Sequence, residues 1–166
     1  MGHSDGLCCM YFDSKMDINK AKSCLFDSKT DYVSACNSLD TLLIHESIVE
    51  KAGEVLTDLI HSKKVEIRAD EKSIPFIKGA IKVDENDYRT EFLDYKLAVK
   101  TVSNVYEAVE HINEYSSHHT DCIITEDKVS LMSNIIIFMI IIIIATQVSL
   151  NYLINNRKLQ IFLLKM

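Results

Sequence analysis

The chain has 166 residues, 48% of them hydrophobic, and a formal charge of −6 at pH 7, enough for one domain with a real core. Residues 1–128 carry 15 basic against 24 acidic groups, because Arg157, Lys158 and Lys165 are the only charges beyond Lys128. So acidic a body excludes nucleic-acid binding, which needs a basic face to displace counterions. Five cysteines (Cys8, Cys9, Cys24, Cys36 and Cys122) form no CxxC pair, and their number is odd. With no secretory signal at the start of the sequence, free thiols in a reducing compartment are expected, without disulfides or zinc.

In chain order, Leu7–Phe12 (LCCMYF) reads as a short buried strand. Asp17 is placed to cap a helix through about Lys29, with Ile18, Ala21 and Leu25 on one face. A polar junction holding Cys36 follows, then the apolar, strand-like Leu39–His45. From about Glu46 to Ser62, Ile48, Val49, Ala52, Val55, Leu56, Leu59 and Ile60 recur at helical spacing, and Gly53 weakens that helix without breaking it. Val65–Arg68 is a short strand, and residues 69–90 form a polar connection with the only proline, Pro75. Leu97–Val102 is the next strand, Val105, Ala108, Val109 and Ile112 mark an amphipathic helix, and Cys122–Thr125 is a last strand. Short apolar strands alternating with helices imply an α/β fold with a parallel sheet covered on its faces.

Cys36 is the residue that asks for a chemical role. A thiol acts as a nucleophile when it is partly exposed and nearby donors stabilise its thiolate. Ser34, Ala35, Asn37 and Ser38 are small enough to let backbone N–H groups approach a substrate oxygen and hold a developing oxyanion. On those residues alone, an inert buried thiol is the commoner alternative. The other four cysteines lie in apolar stretches and read as small core residues. His118 and His119 stand side by side, where most backbones point them apart, and read as loop residues; His45 and His61 sit at element ends. The glycines of GHSDG lack the spacing of a phosphate loop, and Asp84–Asp87 reads as a solvated connection.

Five blocks in succession sharpen this reading: GHSDGLCCMYFD (Gly2–Asp13), MDINKAK (Met16–Lys22), DSKTDYVSACNSLDTLLIHE (Asp27–Glu46), TEFLDYKLAVKTV (Thr90–Val102) and EAVEHINEYSSHHTDCIITED (Glu107–Asp127). In wording and order they resemble γ-glutamyl phosphate reductase, also called glutamate-5-semialdehyde dehydrogenase, of the aldehyde dehydrogenase superfamily; the family includes the reductase domain of pyrroline-5-carboxylate synthase. The resemblance covers about residues 2–128 and implies an aldehyde-dehydrogenase-type catalytic domain. It places Cys36 on the family's nucleophile and Glu91 on a glutamate that contacts the nicotinamide ribose of NADPH. The family more often has proline where Val33 or Ser34 lies. The chemistry implied is reduction of γ-glutamyl phosphate through a cysteine thioester to glutamate-5-semialdehyde, a step of proline biosynthesis, in a cytoplasmic enzyme that takes no nucleic acid. The ACNSLDTLL block favours this branch over general aldehyde oxidation.

The resemblance further implies that the amino-terminal half of the family, with most of the NADPH-binding domain, and its carboxyl-terminal blocks have no counterpart here. Residues 1–128 are then expected to be a partial reductase domain with little turnover alone. Residues 129–166 are of another kind, rich in Ile and without Gly, Pro, Asp or Glu. Ile135–Ile154 is long enough for a transmembrane helix, and by the positive-inside rule Arg157, Lys158 and Lys165 would sit in the cytosol. The alternative is translation through an intron or past a frameshift, whose AT-rich codons give such a composition. A second functional class also stands: a non-catalytic domain that is membrane-anchored, or that pairs with full-length reductase subunits in a homo-oligomer.

Overall fold

The protein is described by a computed structural model, which covers residues 6–127. The apolar tail, with the expected C-terminal helix and the Ile135–Ile154 span, lies outside the described residues, as do the first residues of GHSDG. Among the described residues no helix is long and apolar enough to cross a membrane.

Among the described residues six strands form one sheet in the order β4-β3-β5-β2-β1-β6, and every pairing is parallel. They are β1 (Cys9–Phe12), β2 (Thr41–His45), β3 (Glu66–Ala69), β4 (Ile81–Lys82), β5 (Lys96–Val102) and β6 (Asp121–Ile124). Helices α1 (Ile18–Thr30) and α2 (Val49–Lys63) cover one face of the sheet, where Leu25, Leu56 and Leu59 pack on Phe12, Leu42, Ile44, Ile67 and Val99. Helix α3 (Val105–Tyr115) covers the other, where Ala108 and Ile112 pack on Cys9, Tyr11, Leu43 and Val102. Alternate residues of one strand thus serve both cores, as the two-residue period of a strand requires. Buried on both sides, β1 reads as an unbroken apolar run, and β2 carries one at Leu42–Ile44.

The helix ends follow local chemistry. Asp17 caps α1 through a carboxylate that accepts from the backbone N–H of Asn19 (2.9 Å) and Lys20 (3.0 Å). Asn104 caps α3 in the same way, accepting from Tyr106 and Glu107. The helix expected from Glu46 opens as a 3-10 turn over Glu46–Ile48, in which His45 Nδ1 accepts from Ser47 N at 3.1 Å. It ends at Lys64, in the left-handed region at φ 60°, with the Lys64 N–H on Ile60 O. Residues 69–90 depart from the expected plain connection: they hold β4, hydrogen-bonded along β3, and two 3-10 turns at Ile74–Phe76 and Glu85–Arg89. Both residues of β4 are exposed, so no hydrophobic period marks it in the sequence.

Candidate active site

Ligands of open α/β sheets usually sit beyond the carboxyl ends of the strands. Here the segments with chemistry gather at the other end. Gly6–Cys8 leads into β1, Cys36–Asp40 into β2, Glu91–Tyr95 into β5 and Ser116–Thr120 into β6. Because β5, β2, β1 and β6 are neighbours in the sheet, the four approach segments lie side by side.

The Cys36 loop is made of two turns, closed by Ala35 N–H on Tyr32 O (3.1 Å) and Ser38 N–H on Ala35 O (2.9 Å). Cys36 and Asn37 are the central residues of the second, and both are exposed. The turn therefore presents the thiol to solvent, while the Cys36 carbonyl points inward and accepts from Cys8 Sγ at 3.3 Å. Gly6 permits this approach. A Cβ there would lie 2.4 Å from Cys36 O, 2.9 Å from Glu91 Oε1 and 3.1 Å from Cys36 Cβ. The same geometry brings the two residues singled out in the sequence together, since the Glu91 carboxylate and the Cys36 side chain border one gap left by the missing Gly6 side chain. Glu91 is half-buried.

Beneath the loop lies a buried pair of opposite charges. Asp40 is 2% exposed, and its carboxylate accepts from Cys8 N (3.4 Å) and Phe92 N (3.1 Å). Its backbone donates to Cys8 O (3.1 Å) and accepts from Ala98 N (2.9 Å). Lys29 is fully buried and donates from Nζ to Leu39 O at 2.7 Å. Burial pushes the Asp40 carboxyl up to about 6, against the pull of the Phe92 N–H, Lys29 and the Cys8 N–H. Burial brings Lys29 down to about 8, with Asp40 and Asp94 opposing.

The remaining thiols separate cleanly from Cys36. Cys8 and Cys9 are buried, and Cys24 and Cys122 are half-buried at the edge of the α1–α2 core. Burial raises the Cys8 and Cys122 thiols to about 12 and Cys9 well above its ordinary value, with nearby acidic groups adding to each. Such thiols carry almost no thiolate and are poor nucleophiles. The two adjacent histidines do diverge. His118 Nδ1 faces Asp121 Oδ2 at 3.9 Å, while His119 Nδ1 meets Thr120 Oγ1 at 3.0 Å. Their neighbours Ser116 and Ser117 donate from Oγ to Leu7 O, both at 3.1 Å, and hold the approach to β1 in place. Among the described residues no cluster of His, Cys, Asp or Glu could hold a metal ion.

Sequence reasoning passes over Gly6, Asp40 and Lys29. Two of them leave a mark: Asp40 interrupts an apolar run, and Lys29 stands four residues after Leu25 on the buried face of α1. A charged residue at an apolar position signals a buried pair.

No protein-family model matches the chain. Among curated proteins, the gamma-glutamyl phosphate reductase of Acetivibrio thermocellus is 47% identical over 128 residues, which are 77% of this chain and 30% of that protein. The enzyme of the same name from Nostoc punctiforme is 40% identical over 131 residues, 79% of this chain and 30% of that protein. The chain thus spans about a third of the length of the curated relatives it matches. A crystal structure of gamma-glutamyl phosphate reductase from Thermotoga maritima superposes with a TM-score of 0.74 at 32% identity, over 80% of this chain and 31% of that one. An acetylating aldehyde dehydrogenase from Geobacillus thermoglucosidasius shares the fold with a TM-score of 0.59 at 23% identity, over 80% and 38% of the two chains. By sequence and by fold, then, the chain is homologous to a segment of gamma-glutamyl phosphate reductase, within the architecture of the aldehyde dehydrogenases.

Proposed function

We propose that Cys36 is the nucleophile of a γ-glutamyl phosphate reductase reaction. The observation that carries the reading is the placement of an exposed thiol at a turn tip, with a half-buried carboxylate across the Gly6 gap, in a domain that buries or half-buries its other thiols. The Cys36 sulfur attacks the acyl carbon of γ-glutamyl phosphate, the C–O bond to phosphate breaks, and inorganic phosphate leaves. A thioester remains on Cys36. This covalent capture divides one difficult reduction into two easier steps. Glu91 fits a hydroxyl acceptor for the nicotinamide ribose, because its carboxylate borders the same Gly6 gap as the Cys36 side chain. When bound, NADPH would supply the hydride for the thioester carbon, and breakage of the C–S bond would return the Cys36 thiolate and release glutamate-5-semialdehyde.

Three further assignments rest on the same family reading: residues 1–128 as part of a reductase catalytic domain with 129–166 as a separate apolar tail, a cytoplasmic setting, and pairing with full-length subunits. The first half-reaction needs no cofactor and gives the direct test. Full-length chain is incubated with γ-glutamyl phosphate generated in place, and Cys36-bearing peptides are weighed. A glutamyl adduct that hydroxylamine removes, absent in Cys36→Ser, is the expected result. An adduct spread evenly over several cysteines, or none on Cys36, sinks the assignment.

A further inference from the structure

We propose that Asp40 is a positioning residue that sets Glu91 against Cys36; this deepens, and rests on, the reading of Cys36 as the nucleophile. The argument begins with connectivity. One carboxylate accepts from two main-chain N–H groups far apart in sequence, those of Cys8 and Phe92. Cys8 lies just beyond Gly6, the residue whose missing side chain lets the Cys36 loop approach, and its Sγ–H is shared between Gly6 O at 3.2 Å and the Cys36 carbonyl at 3.3 Å. Phe92 immediately follows Glu91. Asp40 itself closes the Cys36 loop onto β2, where Lys29 Nζ secures the preceding carbonyl at Leu39. Two of the three segments around the Gly6 gap are therefore tied to the two oxygens of one side chain, and the third, the Cys36 loop, carries that side chain.

The second part of the argument is cost. Holding a carboxylate 2% exposed is unfavourable, but an apolar side chain in its place would leave the N–H groups of Cys8 and Phe92 without this acceptor. A neutral amide cannot replace it. Asparagine offers one acceptor and one donor group, so in either orientation its NH2 faces the N–H of Cys8 or of Phe92. A group with two acceptor oxygens is what this junction requires. Glutamate keeps both oxygens but adds a methylene in a closed space.

The test uses the full chain in mild detergent and reads the charge around Cys36 without turnover. Alkylation rates at Cys36 are measured by peptide mass for iodoacetate and for iodoacetamide, in wild type, Glu91→Gln, Asp40→Asn and the double variant. Removing the carboxylate that borders the Gly6 gap with Cys36 should raise the iodoacetate-to-iodoacetamide ratio about fivefold in Glu91→Gln. Asp40→Asn should give a similar rise, and the double variant no more than either alone, because both changes remove the same placed charge. Additive rises would mean that Asp40 acts through its own charge; an unchanged ratio in folded Asp40→Asn would mean a purely structural residue. Either result overturns the proposal. If Asp40→Asn does not fold, amide resonances of wild type decide: the Cys8 and Phe92 N–H signals should shift together as the Asp40 carboxyl titrates, and independent behaviour refutes it. Failure of the nucleophile reading shows separately, as an absent glutamyl adduct while alkylation proceeds.

Discussion

At the scale of single residues, the site depends on the smallest one. Gly6 has no side chain to keep the Cys36 carbonyl away, and a methyl group there would sit 2.4 Å from that oxygen. The obstacle is backbone and cannot rotate aside. Gly6→Ala should therefore push the loop outward, lowering stability by about 1–3 kcal/mol and slowing glutamyl transfer to Cys36. Urea unfolding and the adduct assay measure the two effects, and an unchanged adduct rate would show that the close approach is dispensable. Cys36→Ser is the contrasting case: its side chain is exposed, so its stability should stay within about 0.5 kcal/mol of wild type while adduct formation vanishes. Cys36 is legible as a candidate because it stands among small polar residues. Gly6 is not, since a contact between residues so distant in sequence leaves no local pattern.

At the scale of elements, Gly53 shows packing overruling propensity. In an exposed helix interior, Gly→Ala stabilises by up to about 1 kcal/mol. In α2, however, a Cβ at Gly53 would lie 2.4 Å from Phe76 O and 2.8 Å from Phe76 Cβ, where the Ile74–Phe76 turn crosses the helix. Gly53→Ala should then destabilise, with the urea midpoint falling; a rise would mean that the turn gives way easily. The sequence shows a helix weakened at Gly53 but not why. The partner segment lies in the stretch that reads as a plain connection, whose own strand has two exposed residues and whose turns rest on local hydrogen bonds. Elements with a long apolar face, α1, α2 and α3, are legible because amphipathic spacing is a local property, as is the cap at Asp17; the cap at Asn104 is seen only in the structure.

At the scale of the whole molecule, parallel strands can be inferred from their alternation with helices, but their order cannot. That order decides where chemistry collects, since only with β5, β2 and β1 adjacent do Glu91, Cys36 and Gly6 meet. The same architecture separates two buried titrating centres, with opposite effects on its stability. His111, on α3, is enclosed by Tyr88 and Tyr115, with Lys100 Nζ 3.2 Å from its Nδ1. The ammonium must donate to Nδ1, so the ring is neutral with its proton on Nε2. Burial, then Lys100, lowers its pKa from 6.5 to about 3, with Arg89 adding and Glu107 opposing. The unfolded chain thus binds this proton first, and His111 costs stability as pH falls from 6.5 towards 3. Asp40 runs the other way. Its carboxyl titrates near 6 when folded and 3.8 otherwise, so it favours the folded state increasingly as pH falls through that window. The two partly cancel in wild type, which flattens the profile between about pH 6 and 4. Replacing His111 by glutamine removes one arm alone. Between about pH 7 and 4.5 the stability of wild type relative to His111→Gln should fall by roughly 2 kcal/mol, measured by urea unfolding at each pH. A difference that stays constant would mean that His111 titrates alike in the folded and unfolded chain and that the Lys100 contact is broken in solution.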